Sequence, residues 1–273
     1  SYSAPSILPS ETVIGKNQVF VVDNKTNFFK LARTYKIGFD ALQAANPNID
    51  PNHPQHGDVV VLPTQWIVPS NLARNSIQIN LAQKRLYFRD ANNQVHTYPV
   101  GIGREKWNSP EGSMKIIEKI KNPHWNVPPS IKKEQAKNGI LLPETVAPGP
   151  VNPLGKYAMR LSKPTYLIHG TNAPEGIGRR VSSGCFQLYP EDIEDLFQRV
   201  AIGTTVTVIN QPTALGRQHN QLLISQFPPL NDGTRSVTAT TLQRLITPIS
   251  SHYNVDVLDW IAEEPMGITQ IIG

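Results

Sequence analysis

The chain contains one cysteine, Cys185, and a histidine, His169, sixteen residues before it. A cysteine thiol needs a base or a nearby positive charge to become a thiolate at neutral pH, because its unperturbed pKa is about 8.5. A histidine that reaches the sulfur can take the proton and then stabilise the thiolate as imidazolium. The pair therefore predicts nucleophilic catalysis, with Cys185 as nucleophile and His169 as base. The alternative is that Cys185 is a small buried hydrophobic side chain.

Three short elements must position this pair. The apolar segment 166–170 predicts a strand that ends at the base. The small residues before the cysteine predict a turn, and we expect the backbone N–H groups of Ser183, Gly184 and Cys185 to form an oxyanion hole. Segment 189–197 predicts a helix, because proline and acidic residues occupy its first turn and its apolar residues share one face.

The segments around both residues resemble the catalytic motif of the L,D-transpeptidase (YkuD) family. The chain reads His-Gly-Thr-Asn-Ala-Pro from His169 and Arg-Val-Ser-Ser-Gly-Cys from Arg180. The similarity is greatest to the ErfK/YbiS/YcfS/YnhG branch from Gram-negative periplasms, and it covers most of the chain. The resemblance implies that the carbonyl of Gly170 orients the imidazole and that Ser182 supports the site by hydrogen bonding.

One position in the motif bears on substrate preference. Gln187 stands where this branch usually has arginine, which suits two-pronged binding of a substrate carboxylate. Glutamine keeps the hydrogen bonding but lacks the charge, so either the donor or acceptor preference differs or Arg179 or Arg180 supplies the charge. Core packing is an equal alternative for Tyr157. The residues that we expect to contact substrate are Tyr157, Arg160, Arg180 and Gln187.

Residues 17–69 predict a small binding module. Their order is strand, helix, helix, strand, and segments 42–47 and 57–63 resemble the LysM domain, which binds glycans that contain N-acetylglucosamine. Segment 23–26 departs from the turn that is usual in LysM domains. A structural appendage that has lost glycan binding is therefore the alternative.

The chain as a whole predicts a mixed, mainly β protein. Its 24 prolines favour a loop-rich β fold, and the resemblance implies a β-sandwich-like catalytic domain. Alternation over 76–81 predicts a half-buried strand, and apolar spacing predicts a helix over 239–253. The insertion at 130–150, which begins with a short charged helix, has the length of an active-site lid. We assign an extended segment to residues 1–16, a LysM-like βααβ domain to 17–69, the catalytic domain to 70–212 and a small α+β subdomain to 213–273.

The composition of the chain limits the classes of partner and cofactor that we expect. The net charge of +5 and pI near 9.3 favour an anionic partner or envelope surface, or simply a basic soluble protein. The sequence has no zinc-ligand spacing, phosphate loop or nucleic-acid motif, so we expect no metal, no cofactor and no nucleic acid. It has no apolar run of membrane-spanning length. The family resemblance implies a periplasmic protein whose signal peptide has been removed.

The residues and the resemblance together predict an L,D-transpeptidase of peptidoglycan. Cys185 would form a thioester at the L-centre of diaminopimelate in a tetrapeptide stem and release D-alanine. The acyl group would pass to an amine of another stem, giving a 3→3 cross-link, or to a lysine of an envelope lipoprotein. Two alternatives remain: hydrolysis of the same acyl-enzyme by an L,D-carboxypeptidase, and a non-catalytic protein that binds glycan strands through its LysM-like module.

Overall fold

A computed structural model describes residues 11–230 and 237–273 of the chain. The helices are α1 (Phe28–Thr34), α2 (Phe39–Ala45), α3 (Pro129–Lys137), α4 (Pro190–Arg199), α5 (Ala239–Ile246) and α6 (Val255–Glu263). The strands are β1 (Val13–Gly15), β2 (Gln18–Val21), β3 (Val59–Leu62), β4 (Gln65–Ile67), β5 (Ser76–Asn80), β6 (Arg85–Arg89), β7 (Val95–Pro99), β8 (Ile102–Gly103), β9 (Gly112–Lys121), β10 (Trp125–Asn126), β11 (Thr145–Val146), β12 (Tyr157–Leu161), β13 (Leu167–His169), β14 (Arg180–Ser182), β15 (Phe186–Gln187), β16 (Thr205–Ile209), β17 (Thr213–Gln218), β18 (Gln221–Gln226) and β19 (Gln270–Ile271). Within the described ranges, every helix is too short or too polar to span a membrane.

The N-terminal unit has the predicted order β2–α1–α2–β3, and β2 pairs antiparallel with β3. Asn27 caps α1, because its side-chain oxygen accepts a hydrogen bond from the Lys30 N–H at 3.1 Å. The apolar faces of the two helices close over the two strands around Phe28 and Leu42, which are fully buried. The predicted βααβ unit is therefore confirmed.

An eight-stranded sheet forms the middle of the molecule, in the order β15-β13-β12-β9-β16-β5-β6-β7. The pairs β16–β5 and β13–β15 are parallel, and the other neighbours are antiparallel. Helix α4 follows β15 and buries Ile193 and Leu196 against the sheet, in one core with Ile168 and Phe186. The mainly β class is confirmed, and the sheet brings the strands of both motif residues side by side.

Strand β5 is not half-buried as its alternation predicted. Gln78 and Asn80 are only 6% and 4% exposed, because β5 lies inside the sheet and the second face of the sheet is also covered. Trp66 of β4 and Ile14 of β1 pack there against Tyr87 of the neighbouring strand β6. The Asn80 amide is accommodated by hydrogen bonds to the main chain, including its Nδ2 to Gln211 O at 2.9 Å.

The C-terminal part is a three-stranded sheet, β17-β18-β19, with α5 and α6 packed on it. The helix predicted over 239–253 is wrong in length. It ends at Ile246, because Pro248 has no N–H with which to continue the helical hydrogen bonds. The expected extended segment 1–16 includes strand β1, while its first ten residues lie outside the described part.

Candidate active site

His169 ends strand β13 and is 3% exposed. Its Nδ1 lies 2.6 Å from the carbonyl oxygen of Gly170. Because a carbonyl only accepts hydrogen bonds, Nδ1 carries the proton and Nε2 keeps a lone pair. Burial lowers the pKa of His169 to about 4, and the hydrogen bond to Gly170 opposes that shift only in part. At neutral pH the ring is therefore an uncharged base whose tautomer is fixed by its own neighbour.

Cys185 lies one residue before β15 and is partly exposed. Its Sγ accepts a hydrogen bond from the backbone N–H of Leu167 at 3.4 Å, and the S–H points to the carbonyl oxygen of Thr165 at 3.8 Å. Burial raises the pKa of the thiol to about 11, and the Leu167 N–H opposes this weakly. The resting cysteine is therefore a protonated thiol at neutral pH.

The parallel pair β13–β15 places the two residues on neighbouring segments of the sheet. Ile168 lies opposite Phe186, and His169 lies opposite Gln187. Because Ile168 and Phe186 point into the core, the alternate residues point to the other face. Extending the pairing by one step sets Cys185 beside Leu167, as the hydrogen bond between them requires. Strand geometry then separates the Cα atoms of His169 and Cys185 by roughly 8 Å on one face, which their side chains can bridge.

Hydrogen bonds fold the turn before Cys185 back on itself. The Ser182 hydroxyl donates to Cys185 O at 2.6 Å and accepts from the Gly184 N–H at 3.1 Å. Ser182 is therefore bonded to both of the residues that end this turn. The Gly184 N–H already donates to the Ser182 hydroxyl. To donate to an oxyanion as well, it must break this hydrogen bond or divide it between the two acceptors. Gly184 has φ +120°, and a Cβ there would lie 2.7 Å from the Tyr166 ring, so only glycine fits.

Sequence reasoning missed Ser109 as a support of this turn. Ser109 is 8% exposed; its hydroxyl accepts from the Gly103 N–H at 3.0 Å and donates to Gly184 O at 2.8 Å. It therefore connects the segment after β8 to the turn at residues 182–185, which we call the nucleophile turn. No short-range sequence pattern reports a contact across 75 residues.

The four residues that we expect to contact substrate do not lie on one face of the sheet. Gln187 and Arg160 lie on the His169 face: Arg160 pairs with Leu167, and its guanidinium lies 3.8 Å from Glu118. Tyr157 lies on the opposite face, where its ring packs 4.8 Å from that of Phe197. There it lines a cleft of about 640 Å³ between the insertion and α4, to which Gly170 also contributes.

Arg180 holds the segment after β8. Its Nε donates to Gly103 O at 3.0 Å, and its Nη2 donates to Arg104 O at 3.3 Å and to Asn108 Oδ1 at 3.0 Å. These contacts fix the same segment that Ser109 attaches to the nucleophile turn. Arg179 points elsewhere, with its guanidinium 4.8 Å from the centre of the Phe39 ring.

The N-terminal unit docks beside this site through Gly38 and the first residues of α2. The N–H groups of Phe39 and Asp40 donate to the carbonyls of Ile177 and Gly178, at 3.2 Å each. Gly38 and Gly178 approach so closely that a Cβ on Gly178 would lie 2.1 Å from the Gly38 Cα. The start of α2 therefore contacts the loop that leads into β14.

Two ion pairs extend this contact to the start of α4. Arg33 binds Glu191 with two hydrogen bonds of 2.9 and 2.8 Å, which lowers the pKa of Glu191 to about 2. Lys36 Nζ lies 2.6 Å from Asp192 Oδ1, yet burial raises the pKa of Asp192 to about 6. Helix α4 is thus bonded at its first turn to the N-terminal unit.

Comparison with known proteins gives two family matches. The L,D-transpeptidase catalytic domain (YkuD) matches residues 74–208, and the LysM domain matches residues 27–63. Three Escherichia coli K12 proteins are among the similar relatives. Probable L,D-transpeptidase YcfS is 38% identical over 81% of this chain and 71% of its own length. Probable L,D-transpeptidase ErfK/SrfK is 39% identical over 71% and 63%, and Probable L,D-transpeptidase YbiS is 37% identical over 73% and 66%. The chain thus spans about two thirds of these relatives.

Proposed function

The chain belongs to the L,D-transpeptidase family, and on that premise we propose that Cys185 and His169 are its nucleophile and general base. The proposed reaction is acyl transfer on peptidoglycan stem peptides. The observation that carries it is the 2.6 Å hydrogen bond from His169 Nδ1 to Gly170 O, because it leaves the lone pair on Nε2 available on the face that holds Cys185.

The reaction begins when the thiol gives its proton to His169 Nε2 and the sulfur attacks the carbonyl at the L-centre of diaminopimelate. The tetrahedral oxyanion accepts hydrogen bonds from N–H groups of the turn at Ser183, Gly184 and Cys185. Collapse of this intermediate breaks the bond to D-alanine, whose nitrogen takes the proton from His169. The product is a thioester on Cys185 and a free D-alanine.

An amine then resolves the thioester. It attacks the same carbonyl, its proton passes to His169, and the Cys185 sulfur leaves and is reprotonated. We propose that the amine comes from a second stem, which gives a 3→3 cross-link, or from a lysine of an envelope lipoprotein. Water in place of the amine would give an L,D-carboxypeptidase with the same acyl-enzyme.

The LysM unit would bind the glycan strand next to this reaction. Its turn at 23–26, which departs from the usual LysM sequence, is well formed here: the Asp23 carboxylate accepts from the Lys25 N–H and the Thr26 hydroxyl, at 2.9 Å each. These contacts support a preserved fold of the binding unit. We propose that the protein works in the cell envelope, in the periplasm, where its net charge of +5 suits an anionic partner.

Mass spectrometry of reactions with purified tetrapeptide muropeptides tests the proposal, with Cys185→Ala as the matched control. We expect 3→3 dimers from the native protein and none from the variant. Tripeptide without dimers would indicate hydrolysis or a missing protein acceptor, which adding a lipoprotein C-terminal peptide separates. No change in either sample would refute the catalytic proposal and favour a protein that only binds murein.

A further inference from the structure

A two-pronged ion pair joins the insertion to the edge of the candidate active site. Arg104 Nη1 and Nη2 donate to the two carboxylate oxygens of Glu134 at 3.0 and 2.9 Å. Glu134 lies on α3, the helix of the insertion, whereas Arg104 directly follows β8. The pair therefore bridges two segments that are far apart in the sequence, and its geometry is the one in which arginine recognises any carboxylate.

Arg104 is next to the nucleophile turn. Its backbone N–H donates to Ser182 O at 2.8 Å, and the Ser182 hydroxyl donates to Cys185 O at 2.6 Å. Two hydrogen bonds through one residue thus connect Arg104 to the nucleophile.

The Arg104 guanidinium is held in place by an aromatic ring, and one of its nitrogens makes no hydrogen bond to the described residues. The Trp107 ring supports it, with the guanidinium carbon 5.2 Å from the ring centre. Its Nε is buried and has no hydrogen-bond partner among residues 11–230 and 237–273. The other arginines near the turn are committed elsewhere, Arg180 to the main chain and Arg179 to the Phe39 ring. Arg104 can therefore supply the positive charge that Gln187 lacks.

The partner of Arg104 is accessible to a competing carboxylate. Helix α3 has no buried residue, and Leu141 farther along the insertion is 89% exposed. The Arg104 and Glu134 side chains are themselves 36% and 31% exposed. Because the helix and both side chains are open to solvent, a second carboxylate can reach Arg104 and compete with Glu134 for the same two-pronged contact.

We propose that Arg104 is a specificity-determining residue that binds a carboxylate of the donor stem peptide, and that Glu134 occupies this position in the free enzyme. The inference rests on the proposed function. Two carboxylates of a tetrapeptide stem have the right chemistry: the C-terminal carboxylate of D-alanine and the side-chain carboxylate of diaminopimelate. Glu134 acts as an internal competitor, so the two substitutions have opposite effects on donor binding.

Isothermal titration calorimetry on the full chain carrying Cys185→Ala tests whether Arg104 binds a donor carboxylate, because that variant binds the donor peptide without consuming it. The tetrapeptide is compared with forms amidated at the C terminus or at the diaminopimelate side chain. We expect Arg104→Gln to weaken tetrapeptide binding about tenfold and Glu134→Gln to strengthen it severalfold. The amide that already binds weakly to the parent, and is not weakened further by Arg104→Gln, identifies the carboxylate that Arg104 recognises.

The control is Glu144→Gln, which breaks the Lys132–Glu144 ion pair inside the insertion and does not touch Arg104; it should leave donor affinity unchanged. Equal affinities for all three peptides, or unchanged tetrapeptide binding in both Arg104→Gln and Glu134→Gln, would overturn the inference. Glu134 is on an exposed helix, so its variant reports even if Arg104→Gln fails to fold. Turnover by the unsubstituted protein distinguishes failure of this inference from failure of the proposed function. If that protein forms product but neither substitution changes tetrapeptide affinity, only the inference about Arg104 is refuted. If it forms no product, the proposed function is refuted.

Discussion

At the scale of single residues, the candidate nucleophile and base are both uncharged at rest. Burial holds the pKa of Cys185 at about 11 and that of His169 at about 4, so neither shift favours a thiolate–imidazolium pair at neutral pH. The S–H points to Thr165 O, so the thiol must rotate before it can give its proton to the base. Proton transfer is therefore expected to accompany attack on the carbonyl.

The titration of Cys185 is open to direct measurement. We expect thiolate absorbance at 240 nm, taken as the difference from Cys185→Ala, to be absent at about pH 7 and to rise only as the pH approaches 11. An unperturbed thiol would be half ionised at about pH 8.5. A step between about pH 5 and 7 would contradict this and indicate a resting ion pair with His169.

The low pKa of His169 also affects folding in acid. The unfolded chain takes up a proton at this ring near its ordinary pKa of about 6.5, whereas the folded chain does so only near 4. Between these values the unfolded state binds more protons. The contribution of the neutral ring to stability is therefore fully present above about pH 6.5 and is lost as the pH falls towards 4.

At the scale of elements, the sequence pattern predicted the helices and strands whose formation depends on neighbouring residues. Helices α1, α2 and α4 and the strand of His169 follow from apolar spacing, caps and proline positions. The pairing partners did not follow, because β13 meets β15 across a loop whose path no periodicity records. The burial of Gln78 and the role of Ser109 depend on segments far away in sequence, and both were missed. The end of α5 at Ile246, two residues before Pro248, could have been predicted from the sequence alone.

Ser109 provides the test at this scale. Ser109→Ala removes the acceptor of the Gly103 N–H and the donor to Gly184 O, both buried, and should lower the free energy of unfolding by about 1–3 kcal/mol. It should also reduce kcat, since the nucleophile turn loses a support. Urea denaturation and donor turnover measure the two effects. Ser130→Ala, at an exposed position on α3, is the control; equal behaviour of both variants would refute the role of Ser109.

At the scale of the whole molecule, the LysM unit is bonded to the catalytic unit at both the motif loop and α4. Main-chain hydrogen bonds join Phe39 to Ile177, and ion pairs join Arg33 and Lys36 to the first turn of α4. Gly38 and Gly178 lie so close together in this contact that neither residue has room for a side chain. The two units are thus held in one orientation rather than joined by a free linker.

A pair of glycine substitutions separates this contact from backbone strain. Gly178 has φ +77° and Gly139 has φ +75°, but a Cβ would meet the Gly38 Cα at 2.1 Å in the first case and nothing within 4 Å in the second. Both alanine variants bear similar strain, so Gly178→Ala should lose about 1–3 kcal/mol more than Gly139→Ala from overpacking. Chemical denaturation measures the difference. Equal losses would mean that the units do not dock as described.

The position of β16 has a consequence for how the chain acquires its structure during synthesis. Strand β16 is the last of the eight sheet strands along the chain, yet it lies between β9 and β5. Until residue 209 has been made, β5 and β9 have no partner on that side, and the sheet exists as two separate halves with exposed edges. A nascent chain that stops short of β16 therefore cannot close its core, and we expect late, slow folding that leaves such intermediates dependent on protection from aggregation.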